Sequence, residues 1–263
     1  MSAVTSLGDD VFVARFLSQQ VEVYDAVTLT LQRRLTVSAL SQVPDGLAAC
    51  PNNNCLYASD CGRDDNCRIH RVELSGSNAV KNWPVASGPR GLSVNSEHNL
   101  MVACCDANKL QEYTTHGSLV REICLQAGVT SPWHAIQLST GDYVVSQYTS
   151  PGVVSVVGVD GQVVRSCGQS ESSDVGQMNR PSSLAVTKND DIFVADQYNN
   201  RILSINSSLG SIQELALSVD GGIQMPWGLC LDESRGRLYV GEYVGECRLL
   251  IFEDVTEKRQ PYL

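Results

Sequence analysis

The sequence predicts an all-β chain: a six-bladed β-propeller with four-stranded antiparallel blades. Three observations predict it. A short apolar string recurs six times: FVA at Phe12–Ala14, LYA at Leu56–Ala58, MVA at Met101–Ala103, YVV at Tyr143–Val145, FVA at Phe193–Ala195 and LYV at Leu238–Val240. Five of these copies have a proline about one strand and one turn ahead, Pro44, Pro89, Pro132, Pro181 and Pro226, at intervals of 45, 43, 49 and 45 residues. No stretch keeps a helical period, and apolar strings of roughly four to six residues between turn signals have the length of strands. Four strands in a unit of about 45 residues is the pattern of a propeller blade. Six units give six blades, starting near residues 1, 44, 89, 132, 181 and 226 of a single domain spanning 1–263.

Within each unit the elements follow in a constant order. A first strand comes after the proline: Gly46–Ala49, Gly91–Val94, Ala135–Leu138, Leu184–Val186 and Gly228–Leu231, with the first unit's copy beginning near Ser2. A turn rich in Asn, Asp, Gly or Ser leads to the anchor string, which is the second strand. A polar loop then leads to a third strand, at Val21–Tyr24, Ile69–Val72, Leu110–Tyr113, Val153–Val157, Ile202–Ile205 and Leu249–Phe252. A weaker fourth strand closes five units, at Leu29–Val37, Ala79–Val85, Leu119–Leu125, Gln162–Arg165 and Ser211–Leu217. The sixth has its place for one at Lys258–Leu263, where Pro261 suits an edge strand. Each blade is therefore expected to be continuous in sequence, with blades one and six meeting by side-chain packing.

Composition narrows the function. An apolar fraction of 43% against 18% charged residues supplies a packed core and argues against disorder. A net charge of −10 disfavours a phosphate backbone as partner unless a local basic face overrides it. No apolar run is long enough to cross a bilayer, so no membrane contact is expected, and the opening "MSAVTSLGDD" lacks the basic end and apolar stretch of a signal peptide. The ten irregularly spaced cysteines read as reduced thiols of a cytoplasmic protein, with Cys50–Cys55 and Cys61–Cys67 as the pairs that an oxidising compartment would bridge. The two pairs cannot share a zinc ion, because an intervening strand separates them by about 15–20 Å.

The repeated unit has a recognisable form. It lacks the Gly-His and Trp-Asp pairs of WD blades and the Gly-Gly pair of kelch blades. What recurs is Pro-x-Gly-Leu-x-Val, a spacer, Leu-Tyr-Val-Ala-Asp, then Asn-Arg or Asn-x-Arg before Ile. Blade five carries it best, in Pro181, Leu184–Val186, Phe193–Asp196, Asn200, Arg201 and Ile202. In this form the chain resembles the NHL-repeat family. Blades two, three and six match in part, blade one matches only in its strands, and blade four has His134 for the glycine and Gln147 for the aspartate. The resemblance implies a propeller of the kind that ends tripartite-motif proteins, where upstream parts supply ubiquitin-ligase activity and the propeller selects the partner. The motif itself reads as structural. Its glycine is expected to let the backbone turn sharply into the channel wall. Asp196 is expected to hold the following loop "QYNN", and Arg201 to lie across the neighbouring blade.

Function is then expected where the copies differ. Strand direction puts the loop entering strand one and the loop leaving strand two at one end of the disc, the top. Arg15, Phe16, Asp45, Arg90, Trp133, His134, Tyr148, Arg180, Tyr198, Trp227 and Tyr243 fall there. Tyr, Trp and Arg dominate binding hot spots. The expected partner-binding set is Trp133, His134, Tyr148, Tyr198, Trp227 and Tyr243, with Arg90 and Arg180 as polar anchors. A plainer reading, in which Trp133 and Trp227 are wedges packed between blades, stands level with it.

No catalytic residue, metal or cofactor is expected. His70, His98, His116 and His134 fall on different parts of the blades and cannot converge on zinc. Asp60, Asp196 and Glu242 alternate with Arg15, Cys104 and Gln147, and a ring of mixed sign makes a poor calcium cage. No P-loop, GxSxG or HExxH occurs. The expectation is a non-catalytic module, monomeric as an isolated domain, that recognises a protein or peptide. An RNA-binding propeller is the second reading. It stands behind because Arg15, Arg63, Arg90, Lys109 and Arg180 mingle with Asp45, Asp64, Asp65, Asp106, Asp174 and Glu246. A lyase- or lactonase-type enzyme is the third.

Overall fold

Residues 3–15, 18–37, 40–41, 44–62, 66–76, 78–168, 176–244 and 247–255 are described by the computed structural model. Blade one contains β1 Ala3–Leu7, β2 Asp10–Ala14, β3 Gln20–Asp25 and β4 Leu31–Thr36. Blade two contains β5 Leu47–Cys50, β6 Cys55–Cys61, β7 Cys67–Glu73 and β8 Val80–Pro84. Blade three contains β9 Pro89–Val94, β10 Leu100–Cys104, β11 Lys109–Tyr113 and β12 Leu119–Cys124. Blade four contains β13 Pro132–Gln137, β14 Tyr143–Gln147, β15 Val153–Val157 and β16 Val163–Cys167. Blade five contains β17 Pro181–Val186, β18 Ile192–Asp196, β19 Arg201–Ile205 and β20 Ile212–Glu214. Blade six shows three strands among the described residues, β21 Pro226–Asp232, β22 Arg237–Glu242 and β23 Leu249–Phe252. Strands pair antiparallel in chain order within every blade, and the first strands pack against one another in a closed ring, β21 against β1.

The middles of the second strands are apolar on both faces because both faces are covered, and the polar residues fall at their ends. In β10, Met101 and Ala103 pack towards blade four, while Leu100, Val102 and Cys104 pack towards blade two. In β6, Leu56 and Ala58 face blade one and Tyr57 faces blade three. Alternation of side chains along a strand thus feeds two cores at once. Six apolar clusters result, one at each junction between blades. Fully burying one valine such as Val102 contributes about 1.5–3 kcal/mol.

The ring closes as expected, by side chains. β1 is hydrogen-bonded to β2 as the inner strand of blade one. Val4, Val11 and Val13 pack on Tyr239 of blade six. Arg235 donates to the Gly8 carbonyl at 2.9 Å and pairs with Asp9, Arg237 donates to the Ala26 carbonyl, and Arg15 donates to the Cys247 carbonyl at 3.1 Å. Lys258–Leu263, the expected fourth strand of blade six, lies outside the described residues, as does Ser2.

One device holds the top of the blades. At the end of strand two a side-chain acceptor takes the backbone N–H of a residue two or three places ahead of the proline, in the loop that leads into strand one. Asp196 accepts from Asn179 at 2.7 Å, Glu242 from Gln224 at 2.7 Å, Asp60 from Ser41 at 2.9 Å and Gln147 from Thr130 at 2.9 Å. In blade three, where Cys104 occupies this place, Gln111 of the third strand reaches over and accepts from Ala86 at 2.9 Å. Two of the buried carboxylates are matched by arginines of their own blade: Arg201 donates to Asp196 at 2.8 Å and Arg248 to Glu242 at 2.7 Å. Two expectations are corrected here. Arg201 stays in its own blade and donates to the Gln177 carbonyl at 2.9 Å, because Asp196 and the lead-in loop lie within its reach. Asp196 grips mainly the preceding loop, and of "QYNN" it takes only the Asn199 amide, at 2.9 Å.

The motif glycine also has a different reason from the one expected. Gly46, Gly91 and Gly228 do not have positive φ. A Cβ on Gly46 would stand 2.2 Å from the Arg90 carbonyl oxygen, and one on Gly91 would stand 2.5 Å from the His134 ring. Glycine is needed there because the next blade comes so close, not because the chain turns sharply.

The reading of the cysteines as reduced thiols fails at one pair. Cys61 and Cys67 sit directly opposite each other on β6 and β7 and form a disulfide across the mouth of their loop. Cys50 and Cys55 also face each other in register, and both are free.

Two outcomes test these contacts. Asp196→Ala removes the acceptor of the Asn179 N–H and the buried carboxylate that faces Arg201 Nε, and should cost about 3–5 kcal/mol in urea unfolding. A loss below 1 kcal/mol would mean that the lead-in loop is held without the carboxylate. Thiol titration of the unfolded protein without reductant should count eight free cysteines, with Cys61 and Cys67 rising into view after reduction.

Candidate functional site

The repeat sets the register of the top face. The residue after each lead-in proline stands at the channel mouth: Asp45, Arg90, Trp133, Ser182 and Trp227. In blades three to six the residue before that proline is left-handed, with φ of 71° at Gly88, 49° at Ser131, 52° at Arg180 and 45° at Met225. Its turn swings the lead-in loop against the loop leaving strand two. Tyr148 donates its backbone N–H to the Ser131 carbonyl at 3.0 Å, and Tyr243 donates to the Met225 carbonyl at 3.1 Å. Each tyrosine is thereby laid on the tryptophan of its own blade. Tyr148 stacks on Trp133 with centroids 4.2 Å apart, and Tyr243 on Trp227 at 4.9 Å.

Blade five has Ser182 where its neighbours have tryptophan, and the small side chain leaves room across it. Trp133 and Trp227 meet there edge to face, 5.1 Å apart at 87°. On the other side Arg90 lies 5.0 Å over Trp133 and pairs with Asp45. Burial pushes the Asp45 carboxyl up, against the downward pull of Arg90. Towards blade five, Arg180 lies 5.5 Å over Tyr148 and 4.6 Å over Tyr198, and donates to the Tyr198 hydroxyl at 2.9 Å. Tyr148 in turn donates its hydroxyl to the buried Gln197 at 2.6 Å.

All the expected site residues except His134 thus form one connected band. The band has two layers. Trp133 and Trp227 are 8% and 9% exposed and serve as a footing packed into the mouth, so the wedge reading describes them well. Tyr198, 43% exposed, and the exposed Arg180 form the presenting layer with the half-buried Tyr148, Tyr243 and Arg90.

His134 lies below the mouth and differs from expectation. Its Nδ1 accepts the Leu184 N–H at 3.0 Å, and its Nε2 faces the Leu92 carbonyl at 3.0 Å, which requires the neutral ring with the proton on Nε2. The ring fills the space that Gly91 leaves for want of a Cβ, and it ties blade four to blades three and five. Burial pushes its pKa down to about 4. Beneath it, residues of all six inner strands line a central cavity of about 390 Å3.

Most positive charge at the top is already matched. Arg15 pairs with Glu22, Arg90 with Asp45 and Lys109 with Glu122, whereas Arg180 has no ion-pair partner among the described residues. Phe16, Arg63, Asp64, Asp65, Asp174 and Glu246 lie outside those residues. Among the described residues no three His, Cys, Asp or Glu side chains are grouped to hold a metal, and no helix is long and apolar enough to cross a membrane. His70 is buried in β7, 3.4 Å from Asp60, and His98 is on the turn after β9, at the other end of the disc. The residues missed in the sequence are Asp45 as the partner of Arg90, Ser182 as the gap in the ring and Gln197 as the brace of Tyr148. The register just after the prolines was the signal for the first two.

The family pattern described as NHL repeat matches residues 178–203. The chain is thus a six-bladed β-propeller with an NHL repeat in its fifth blade. Among solved structures it is similar to a protein of unknown function from Bacteroides caccae, at 16% identity and a TM-score of 0.72, covering 93% of this chain and 89% of that one. It is similar to a chain of a nidogen/laminin complex at 14% identity and a TM-score of 0.69, covering 90% and 86%. It is also similar to virginiamycin B lyase from Staphylococcus aureus at 12% identity and a TM-score of 0.60, covering 96% and 83%. At such identities the likeness shows the fold alone. No curated protein matches the sequence.

The His134 bridge makes a pH prediction. The folded state holds this histidine neutral down to about pH 4, whereas the unfolded chain protonates it near 6.5. Its contribution is therefore complete above pH 6.5 and is lost as pH falls from there towards 4, by roughly 3 kcal/mol. Urea midpoints measured across that window should fall more steeply for the wild type than for His134→Gln. Parallel slopes would show that the ring is not held neutral by the fold.

Proposed function

We propose that this propeller is a non-catalytic binding module that takes a protein or peptide on its top face. One observation carries the reading: an arginine–tyrosine layer, set on two buried tryptophans, at the mouth of the channel. Tyrosine gives a large contact area at low entropic cost, and a packed footing lowers that cost further. The nidogen/laminin likeness is in keeping with a propeller that meets another protein. The finer role implied by the family resemblance, selecting a partner for a ubiquitin-ligase-type parent, would use this same face.

The lyase-type reading draws on the likeness to virginiamycin B lyase. Against it, the histidine nearest the mouth has both ring nitrogens occupied by backbone groups, and the nearest carboxylate, Asp45, is engaged by Arg90. The RNA reading needs a run of unmatched cations, and among the described residues the top offers Arg180 and, in blade two, Arg68.

The test is quantitative binding of a partner captured by the wild type, compared with a Tyr148→Ala, Arg180→Glu, Tyr243→Ala variant shown to be folded. Arg90 is left intact because Asp45 depends on it. Binding should weaken at least 100-fold with weak salt dependence, and unchanged binding would remove the top face from the function. A steep salt slope would transfer the site to nucleic acid.

A further inference from the structure

We infer that the top face selects partners carrying an acidic side chain, and that Arg180 is the residue that reads its carboxylate. This rests on the peptide-binding reading above and adds the chemistry of the partner to it.

Arg180 is an exposed cation held ready. Its left-handed backbone, φ 52°, is fixed by its N–H donating to the Thr149 carbonyl at 2.9 Å, so the side chain leaves the loop in one direction. The guanidinium is braced by the rings of Tyr198 and Tyr148, and its Nη1 donates to the Tyr198 hydroxyl at 2.9 Å, with no carboxylate paired to it among the described residues. A guanidinium has five N–H donors in a planar fork, more than its tyrosine neighbours use, which leaves donors to take a carboxylate in two parallel bonds. Aromatic bracing immobilises the fork without neutralising it.

The surroundings select a single carboxylate rather than a polyanion. Among the described residues the cations nearest it have their own acids: Arg90 has Asp45, Arg201 has Asp196 and Arg248 has Glu242, while Arg68, in blade two, is held by the Asn82 amide at 2.8 Å. An open positive charge in this part of the top face, on a chain of net charge −10, suits one acidic residue and repels a phosphate backbone. The two sides of Arg180 differ in kind. On one side stand Tyr148 and the tryptophans. On the other a polar depression of about 560 Å3 opens between the loops of blades four and five, lined by Ser150, Pro151, Gln177, Asn179, Asn199 and Arg201 among others. The fitting ligand is an extended segment with Asp or Glu at its centre, an apolar or aromatic residue on one flank and hydrogen-bonding residues on the other.

A random-peptide phage library panned on the immobilised propeller tests this, with selected peptides resynthesised and their Kd measured. Peptides enriched in Asp or Glu beside an apolar residue are expected. Changing the peptide's acid to its amide should weaken binding about 10- to 100-fold, and Arg180→Gln should do the same to the unmodified peptide. With the amide peptide Arg180→Gln should cause little further loss, a readout that a merely misfolded variant cannot give. Selected peptides that bind the tyrosines but lack an acid, or are indifferent to Arg180→Gln, would overturn this inference and leave the binding module standing. Recovery of no peptide that depends on the top face would overturn both. A pool of RNA stem-loops run alongside should not bind, and RNA binding that is lost in Arg180→Gln would overturn the choice of a carboxylate.

Discussion

The structure depends on a short hydrogen bond made repeatedly: an acceptor at the end of strand two holds the backbone N–H of the loop that leads into strand one. The loop has to cross from the rim of one blade to the innermost strand of the next, over a surface where its N–H groups are leaving water. An unmatched buried N–H costs about as much as several apolar contacts yield, so each crossing needs an acceptor from the chain. Asp196 and Glu242 supply it as carboxylates, which brings in Arg201 and Arg248 to balance the charge. Gln147 supplies it as a neutral amide, needs no arginine and donates to Ser155 instead. The departure of blade four from the repeated motif is therefore a change of chemistry that keeps the contact.

Once the lead-in loop is held, the mouth follows. The left-handed residue before the proline and the fixed φ of the proline itself aim the next side chain at the channel. Whatever occupies that place becomes part of the rim. Two tryptophans, an arginine and an aspartate find partners there, and a serine makes the gap that lets the tryptophans meet. Hydroxyls then stitch one blade to the next: Ser146 donates to the Ser182 carbonyl at 2.6 Å and Ser182 to the Trp227 carbonyl at 3.0 Å. Binding chemistry and ring closure share the same few residues. That is why the deep members of the band, Trp133 and Trp227, act as support and the outer members, Arg180 and Tyr198, as the contact surface.

The blades, their order and much of the band were legible before any coordinates. Period-2 burial on both faces writes itself as an unbroken apolar string, and a crossing that needs a proline writes itself as a proline at near-constant spacing. The tyrosines and tryptophans were placed at the top because strand direction alternates strictly within an antiparallel blade. Legibility stopped where a contact joins copies. Spacing places His134 at the mouth, but the space left by Gly91 in the neighbouring blade draws its ring inward. Arg201 was expected to reach a neighbour, and the carboxylate of its own blade was nearer.

By itself, then, the sequence determined what is periodic: an all-β ring of six units, the strand positions, and which residues stand at which end. Those properties depend on local alternation and turn chemistry, and these act over a few residues. Only the tertiary structure decided which charges are matched, which rings are covered and which thiols meet. Asp45 and Arg90 stand 45 positions apart, and Trp133 and Trp227 are two blades apart in the ring. Even Cys61 and Cys67, six residues apart, are joined because β6 and β7 pair in a register that sets them face to face. Whether a side chain at the top is a support or a hand held out depends on how neighbouring blades pack, and that packing is set by the closed ring as a whole.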